Sequence, residues 1–402
     1  MPPTALPQVV LKPRRALPFF GRHPWVFAGA IARVEGSPQA GDELAVVSHE
    51  GQFIARGLFN PHSNIRVRLY AWDQAVALDE AFWSERLDAA IGLRRDLFAE
   101  PGPETACRLV FSEADGLSGL TVDRYGEWLL VQLTSRALAE RRDVLFRLLG
   151  EKLRPAGIWL RTEKGIGEAE GLEIADGLVA GREPPRPLFI AEHGLRYGCD
   201  VVEGQKTGFY IDQRDNRAAF ARYVRPEARV LDVFCYSGGF GLAAVVLGGA
   251  KHVLSVDVSE AALALARANA QLNGVADRFR FEAGRAFEVL ERLQSAGERF
   301  DAVVLDPPRM TRHKAGVSKA LQAYHQLNRQ AVDLLVPGGL LVTCSCSGLV
   351  TREDFERMLA EVSLRVRRPL QILESRGAAA DHPTSVHCPE TAYLKCYVCR
   401  AG

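Results

Sequence analysis

The stretch from residue 229 to residue 257 constrains the fold more than any other part of the chain. Arg229-Val-Leu-Asp-Val233 reads as a buried strand that carries one acid, Asp232. It runs into Phe234-Cys-Tyr-Ser-Gly-Gly-Phe-Gly241, a turn with three glycines. A second apolar strand over 252–257 ends on another acid, Asp257, eighteen residues after Gly239. Further strands are expected over 278–282, 302–305 and 340–344. A helix is expected over 261–273, with Ser259 as its N-cap and Gly274 as its stop. Strands alternating with helices in this way predict a doubly wound, mainly parallel α/β sheet. Ligands bind outside the carboxyl ends of such strands, where glycines let the backbone come close.

Two classes of nucleotide-like ligand fit that outline. Dinucleotide sites use the pattern G-x-G-x-x-G to cradle a pyrophosphate, and this chain lacks it. Here an acid, Asp232, precedes the glycines. S-adenosylmethionine has a sulfonium and an ammonium but no pyrophosphate, so it needs acceptors at this turn. The offset of Asp257 suits a carboxylate that accepts hydrogen bonds from ribose hydroxyls. The expected cofactor contacts are Asp232, Phe234, Ser237, Gly238, Gly239, Asp257 and Ser259, with Arg285 and Asp306 at the ends of the next two strands. An idle scaffold with the same fold is the alternative that motifs leave standing.

A second constellation lies further on. Phe300-Asp-Ala-Val-Val-Leu-Asp-Pro-Pro-Arg309 is a buried strand that ends in Asp306-Pro307-Pro308. The Asp306 carboxylate and the rigidly held Pro307 carbonyl can both accept from the exocyclic amine of a base. Amino-group methyltransferases place an aromatic residue after the prolines to stack that base, whereas this chain has Arg309 and Met310. The next strand continues into Ser345-Cys346-Ser347-Gly348. A thiolate that adds to carbon 6 of a pyrimidine turns carbon 5 into a nucleophile for a methyl sulfonium. Cys344 falls inside the apolar run and reads as packing. Cys346 falls past it and reads as the nucleophile, with Arg309, Arg312 and Lys314 as candidates for an electropositive setting.

The rest of the chain divides into three segments. Residues 1–72 hold short β-like runs over 43–47, 52–58 and 65–71, separated by turns, which suggests a small barrel. Residues 73–186 predict a helix over 81–98, strands over 108–112, 120–123, 128–134 and 157–162, and a helix over 137–153. A proline-rich stretch, 181–187, closes that segment, and 187–402 forms the α/β domain. Net charge is +1 overall, but residues 1–70 hold eight Lys/Arg against four Asp/Glu, or +4, which leaves −3 elsewhere. A basic module on a mildly acidic body suits a phosphate-bearing partner as well as a merely solvated face. No stretch has the length of a membrane span, and no apolar leader opens the chain, so a cytoplasmic location is expected. The eight cysteines are scattered, as in reduced cytosolic enzymes. Cys396 and Cys399 form a possible metal half-site without a second pair, and their run reads as a strand, so no metal is expected.

Taken together, these motifs resemble the bacterial large-subunit rRNA 5-methylcytosine methyltransferases, over nearly the whole chain. His23-Pro-Trp-Val-Phe-Ala-Gly-Ala30, Gly41-Asp42, Gly57, Asn60 and Ile65-Arg-Val-Arg68 resemble that family's PUA module, an RNA-binding β-barrel. The middle segment resembles its small α+β domain. Gln205-Lys-Thr-Gly-Phe-Tyr-Ile-Asp-Gln-Arg-Asp-Asn-Arg217 resembles the segment that covers the cofactor, which implies contacts from Tyr210, Gln213 and Arg214. Ser345-Cys-Ser-Gly348 matches the catalytic cysteine motif at Cys346. Ala380-Asp-His-Pro383 and Tyr393-Leu-Lys395 match the C-terminal end.

The resemblance implies a seven-stranded Rossmann-like class I methyltransferase domain, 23S rRNA as substrate, cytosine carbon 5 as the methylated atom and a possible homodimer. Two positions depart from it. Where relatives commonly carry an acid near the adenine, this chain has Gly284-Arg285. Arg309 stands where Lys is frequent. Methylation of guanine or another base without a covalent step, and a catalytically idle RNA-binding assembly factor, are the alternative readings.

Overall fold

The computed structural model describes residues 6–98, 102, 104–162, 165–204, 208–311 and 313–402. Gln205, Lys206, Thr207 and Arg312, all named above, lie outside the described residues. The chain forms two compact units. The first comprises Met1–Leu188, Asp200–Gly208 and Ala380–Thr391. The second comprises Phe189–Cys199, Phe209–Ala379 and Ala392–Gly402.

In the first unit, β1 (Gln8–Leu11), β2 (Trp25–Phe27), β3 (Ile31–Glu35), β4 (Glu43–Val47), β5 (Phe53–Phe59) and β6 (Ile65–Ala71) form one sheet. Its order is β2-β6-β5-β4-β1-β3, so the two end strands are consecutive in sequence. Alternate residues of these strands, among them Val9, Leu11, Val26, Val46, Val67 and Leu69, enclose an apolar core. A second sheet is built from β7 (Ala106–Phe111), β8 (Leu120–Tyr125), β9 (Trp128–Leu133), β10 (Gly157–Leu160) and β11 (Gly177–Gly181). The helix Glu80–Leu97 packs on it, with Asp79 accepting from the Phe82 amide as N-cap.

The helix expected over 137–153 is two helices, Arg136–Ala139 and Arg142–Leu153. Arg141, at the break, donates from Nη1 to the Gly41 carbonyl at 2.5 Å. That contact lies 100 residues away in sequence, beyond the reach of any local pattern.

The second unit opens with the strand pair β12 (Leu188–Glu192) and β13 (Leu195–Cys199), of which Leu188 falls to the first unit. Its main sheet comprises β14 (Arg229–Val233), β15 (His252–Asp257), β16 (Phe279–Ala283), β17 (Phe300–Leu305), β18 (Leu335–Ser345), β19 (Leu370–Arg376) and β20 (Lys395–Ala401). The order is β16-β15-β14-β17-β18-β20-β19. The first five strands run parallel, and β20 is antiparallel to both β18 and β19.

This is the doubly wound sheet that the sequence predicts, with strand order reversing on either side of β14. Helix Glu260–Leu272 begins at Ser259, whose Oγ accepts from the Ala262 amide. Cys396 and Cys399 face Cys344 and Leu341 across β18 and are fully buried strand residues. No described helix is long and apolar enough to cross a membrane.

Candidate active site

The topology brings the carboxyl ends of β14, β15, β17 and β18 to one edge of the sheet, and the predicted acids and thiol lie there. Asp232 is buried at the end of β14, and its Oδ2 accepts from the Gly241 amide at 2.9 Å. A Cβ at Gly241 would come within 3.1 Å of that oxygen and 3.0 Å of the Phe279 ring, so a side chain there would need both neighbours to give way. The turn between them is conformationally costly. Phe234 and Tyr236 hold φ of 64° and 48°, and Gly238 holds 80°. Non-glycine residues in this region persist where surrounding contacts impose them. Here Asp257 Oδ2 accepts from the Tyr236 amide at 3.0 Å, and Asn269 donates to the Ser237 carbonyl at 3.1 Å. Asp257 Oδ1 takes the Ser259 amide at 3.0 Å.

Burial pushes the Asp232 carboxyl up to about 7, and the nearby charges of Asp306 and Asp257 push the same way. A buried acid held short of positive charge, beside two more carboxylates, is a setting that a cationic ligand relieves. The donor set therefore fits S-adenosylmethionine, with Asp232 and Asp257 as acceptors around a glycine turn.

The segment before β14 closes on this edge. Tyr210 packs edge-on against Tyr236, with ring centres 5.3 Å apart. Burial raises the Tyr210 hydroxyl pKa, and the charges of Asp306 and Cys346 act in the same direction. Gln213 is buried and accepts from Asn216 Nδ2 at 2.6 Å, while Arg214 pairs with Asp215 at 3.5 Å. The anchor of the segment is Arg217, which sequence reasoning passed over. Its guanidinium grips Glu192 of β12 through two bonds of 2.7 and 2.6 Å and donates to the Tyr210 carbonyl at 3.0 Å. Fork-on-carboxylate pairs of this kind fix geometry as well as charge.

The loops after β17 and β18 meet. Cys346 Sγ lies 3.9 Å from the Pro307 carbonyl, and Ser347 Oγ accepts from the Met310 amide at 3.0 Å. Tyr324, from the helix Val317–Leu334, shares that Ser347 hydroxyl at 3.1 Å. Pro307 is buried, whereas Pro308 and Arg309 are exposed. Seven of the eight cysteines are buried, Cys344 among them, and Cys346 alone is partly exposed.

The structure adds a residue that the search for electropositive neighbours did not find. Lys395, at the start of β20, is 2% exposed and donates to the Ser347 carbonyl at 2.8 Å. Burial pulls its ammonium down to about 8, with Cys346, Arg352 and Arg309 as its charged surroundings. Lys314 is exposed in the short 3-10 turn Lys314–Gly316 that precedes the Val317–Leu334 helix.

One predicted contact is not gathered in. The Arg285 side chain is 77% exposed and pairs with Glu288 at 3.5 Å. Only the backbone next to it reaches the site edge, through Gly284 N to the Asp257 carbonyl at 3.0 Å.

A sheet of this order, with a glycine turn and acids at its carboxyl edge, defines a class. The chain matches the S-adenosylmethionine-dependent methyltransferase family over residues 115–385 and a PUA-like domain over residues 9–72. It belongs to the S-adenosylmethionine-dependent methyltransferases, and its cofactor is S-adenosylmethionine. Within that class it belongs with the proteins named Ribosomal RNA large subunit methyltransferase I. It is 39% identical to the one from Klebsiella pneumoniae over 401 residues, which is all of both chains. It is 40% identical to the one from Erwinia tasmaniensis over 394 residues, covering 98% of this chain and 99% of that one. The solved structure of SMU.776 complexed with SAH superposes with a TM-score of 0.86 at 19% identity, over 98% of this chain and 99% of that one.

Proposed function

We propose that this protein methylates carbon 5 of a cytosine in large-subunit (23S) rRNA through a covalent bond between Cys346 and the base. The observation that carries this reading is the meeting of Cys346 with Pro307 at 3.9 Å, next to Asp306, by the one partly exposed thiol in the chain. Asp306 and the Pro307 carbonyl orient the exocyclic amine. The Cys346 thiolate forms a bond to carbon 6, and the electron pair of the 5,6 double bond moves to carbon 5. When bound, S-adenosylmethionine supplies an electrophilic methyl group at that carbon. A base then takes the carbon-5 proton, the double bond re-forms and Sγ leaves as thiolate. Asp232, Asp257 and the turn at Phe234, Ser237, Gly238 and Gly239 hold the cofactor, with Tyr210, Gln213 and Arg214 over it.

The rRNA reading draws on the names of the relatives and on the first unit. Lys12, Arg14, Arg15 and Arg22 are exposed between β1 and β2, with Leu17 and Phe20 exposed among them. Basic groups interleaved with apolar ones suit a phosphate backbone with unstacked bases. A base in structured RNA must be turned out to reach the thiol.

RNA containing 5-fluorocytosine tests the reading, because fluorine at carbon 5 blocks the final elimination. The expected product is a protein–RNA adduct on the Cys346 peptide. Methylation that persists in Cys346→Ala without any adduct would overturn the covalent route and favour another base.

A further inference from the structure

Among the described residues, Lys395 is a buried cation that forms no ion pair with a carboxylate. Its Nζ rests on two neutral acceptors, the Ser347 carbonyl at 2.8 Å and the Tyr393 carbonyl at 2.9 Å. Burying an ammonium without a counter-charge is costly, and folds retain such groups mainly where they serve a site. Burial drives its pKa down, and Cys346 is the group that favours its charged form. Arg352 and Arg309 oppose it.

We infer that Lys395 is the positioning residue of the nucleophile: its ammonium stabilises the Cys346 thiolate, and its bond to Ser347 holds the loop that presents it. The inference rests on the reading of Cys346 as nucleophile. It deepens that reading by naming what makes the sulfur anionic.

Several other titratable and charged groups lie in the electrostatic surroundings of Lys395, Cys346 and their neighbours. Asp306 and Arg309 come from the loop after β17, and Tyr324 from the helix Val317–Leu334. Arg352 opens the helix Arg352–Val366, Tyr210 precedes helix Arg214–Ala221, and Cys344 and Cys396 lie beneath on β18 and β20. Asp306 disfavours a thiolate. Arg309 and Arg352 favour it from exposed positions, where solvent screens them. Lys395 favours it from the interior, where screening is weak.

The role recurs in the chemistry. The Cys346 proton passes to solvent, because Lys395 already carries its own. The sulfur is neutral while it is bonded to carbon 6. When that bond breaks, the electron pair returns to Sγ beside the same ammonium, so one lysine assists both the attack and the departure.

The test needs neither RNA nor cofactor. Alkylation of Cys346 by iodoacetamide is followed against pH by mass spectrometry of its peptide, with the seven buried cysteines as internal blanks. In Lys395→Met the inflection is expected to move up by about one to three pH units, and Lys395→Arg is expected to restore most of the shift. An unchanged inflection in folded Lys395→Met overturns the inference.

If Lys395→Met does not fold, the reciprocal measurement decides. In Cys346→Ser the Lys395 Nζ titration, read by NMR on ¹⁵N-lysine protein, is expected to fall by about one pH unit. No fall overturns the inference. A shifted alkylation profile together with no 5-fluorocytosine adduct would sustain the Lys395–Cys346 pairing and overturn the nucleophile role, so the two readings fail separately.

Discussion

Buried charge is handled in opposite ways in the two units. In the first unit, buried acids meet arginines. Asp115 takes Arg94 at 2.7 Å, and Asp123 takes both arms of Arg108 at 2.7 and 2.9 Å. Glu113 accepts from Arg68 at 3.0 Å, Ser118 at 2.7 Å and Trp25 at 2.9 Å. Burial alone would raise the Glu113 pKa, yet Arg68 and the serine hydroxyls hold it below the usual value. In the second unit, burial outweighs the Gly241 amide and the Arg217 charge that act against it at Asp232, whose carboxyl is pushed up to about 7. Lys395 is buried without an acid. Arg217 and Glu192 are the exception, and they brace the covering segment rather than the reacting edge. Charge that is already matched serves folding. Charge left unmatched is available to ligand and substrate.

The contrast predicts different consequences for the same kind of substitution. Arg94→Met strands Asp115 in the interior and should cost about 3–5 kcal/mol of stability. All five tryptophans lie in the first unit, so their fluorescence in urea reads this loss directly. Binding of S-adenosylhomocysteine to the folded variant should stay within about twofold. A loss of binding with stability retained would break the comparison. In the second unit the pattern reverses: Asp232→Asn removes an acid that the fold does not neutralise. Calorimetry should show binding of S-adenosylhomocysteine weakened by about a hundredfold, equivalent to about 3 kcal/mol. The melting temperature of the ligand-free protein should hold or rise.

A smaller effect follows from the titration of Asp232. Its folded pKa is raised, so between about pH 4 and 7 the folded chain holds a proton that the unfolded chain has released. That contribution to stability is fully present below about pH 4 and is lost as pH rises through about 7. Ligand-free stability should therefore decline across the window. The ammonium of S-adenosylhomocysteine favours the carboxylate form, so affinity should rise by up to about tenfold from pH 6 to 8. Asp232→Asn should flatten the binding profile. A flat wild-type profile would mean that Asp232 keeps its charge without a ligand.

How much of this was legible in the sequence depends on how far the cause lies along the chain. β14, β15 and the Ser259 cap were readable because a buried parallel strand is a continuous apolar run and a cap acts within three residues. The placement of Asp232, Asp257, Asp306 and Cys346 at one sheet edge was readable because strand ends are local features and topology sends them to one edge. Residues whose partners lie far off carried no local signal. Arg217 meets Glu192 across 25 residues, and Lys395 meets Ser347 across 48. β19 was missed because its burial pattern is mostly exposed and lacks an apolar run. β1 to β3 are short runs whose pairing is settled by the strands beside them. Lys395 illustrates the limit well: from sequence it is one residue of a matched C-terminal motif, and only the β18–β20 register sets it beside Ser345.

The smallest predicted effect concerns Arg285, the departure from the family pattern that the sequence placed at the adenine. At 77% exposure and paired with Glu288 one helical turn away, its side chain is solvated. Pairs of this kind contribute a few tenths of a kcal/mol. Arg285→Ala should change stability by less than about 0.5 kcal/mol and affinity for S-adenosylhomocysteine by less than about twofold. The bond from Gly284 N to the Asp257 carbonyl survives that substitution, because it uses backbone atoms alone. The site edge therefore keeps its shape whatever side chain follows. A tenfold loss of affinity in Arg285→Ala would show that the side chain folds inward on binding, and would move one charge from the matched surface to the unmatched site.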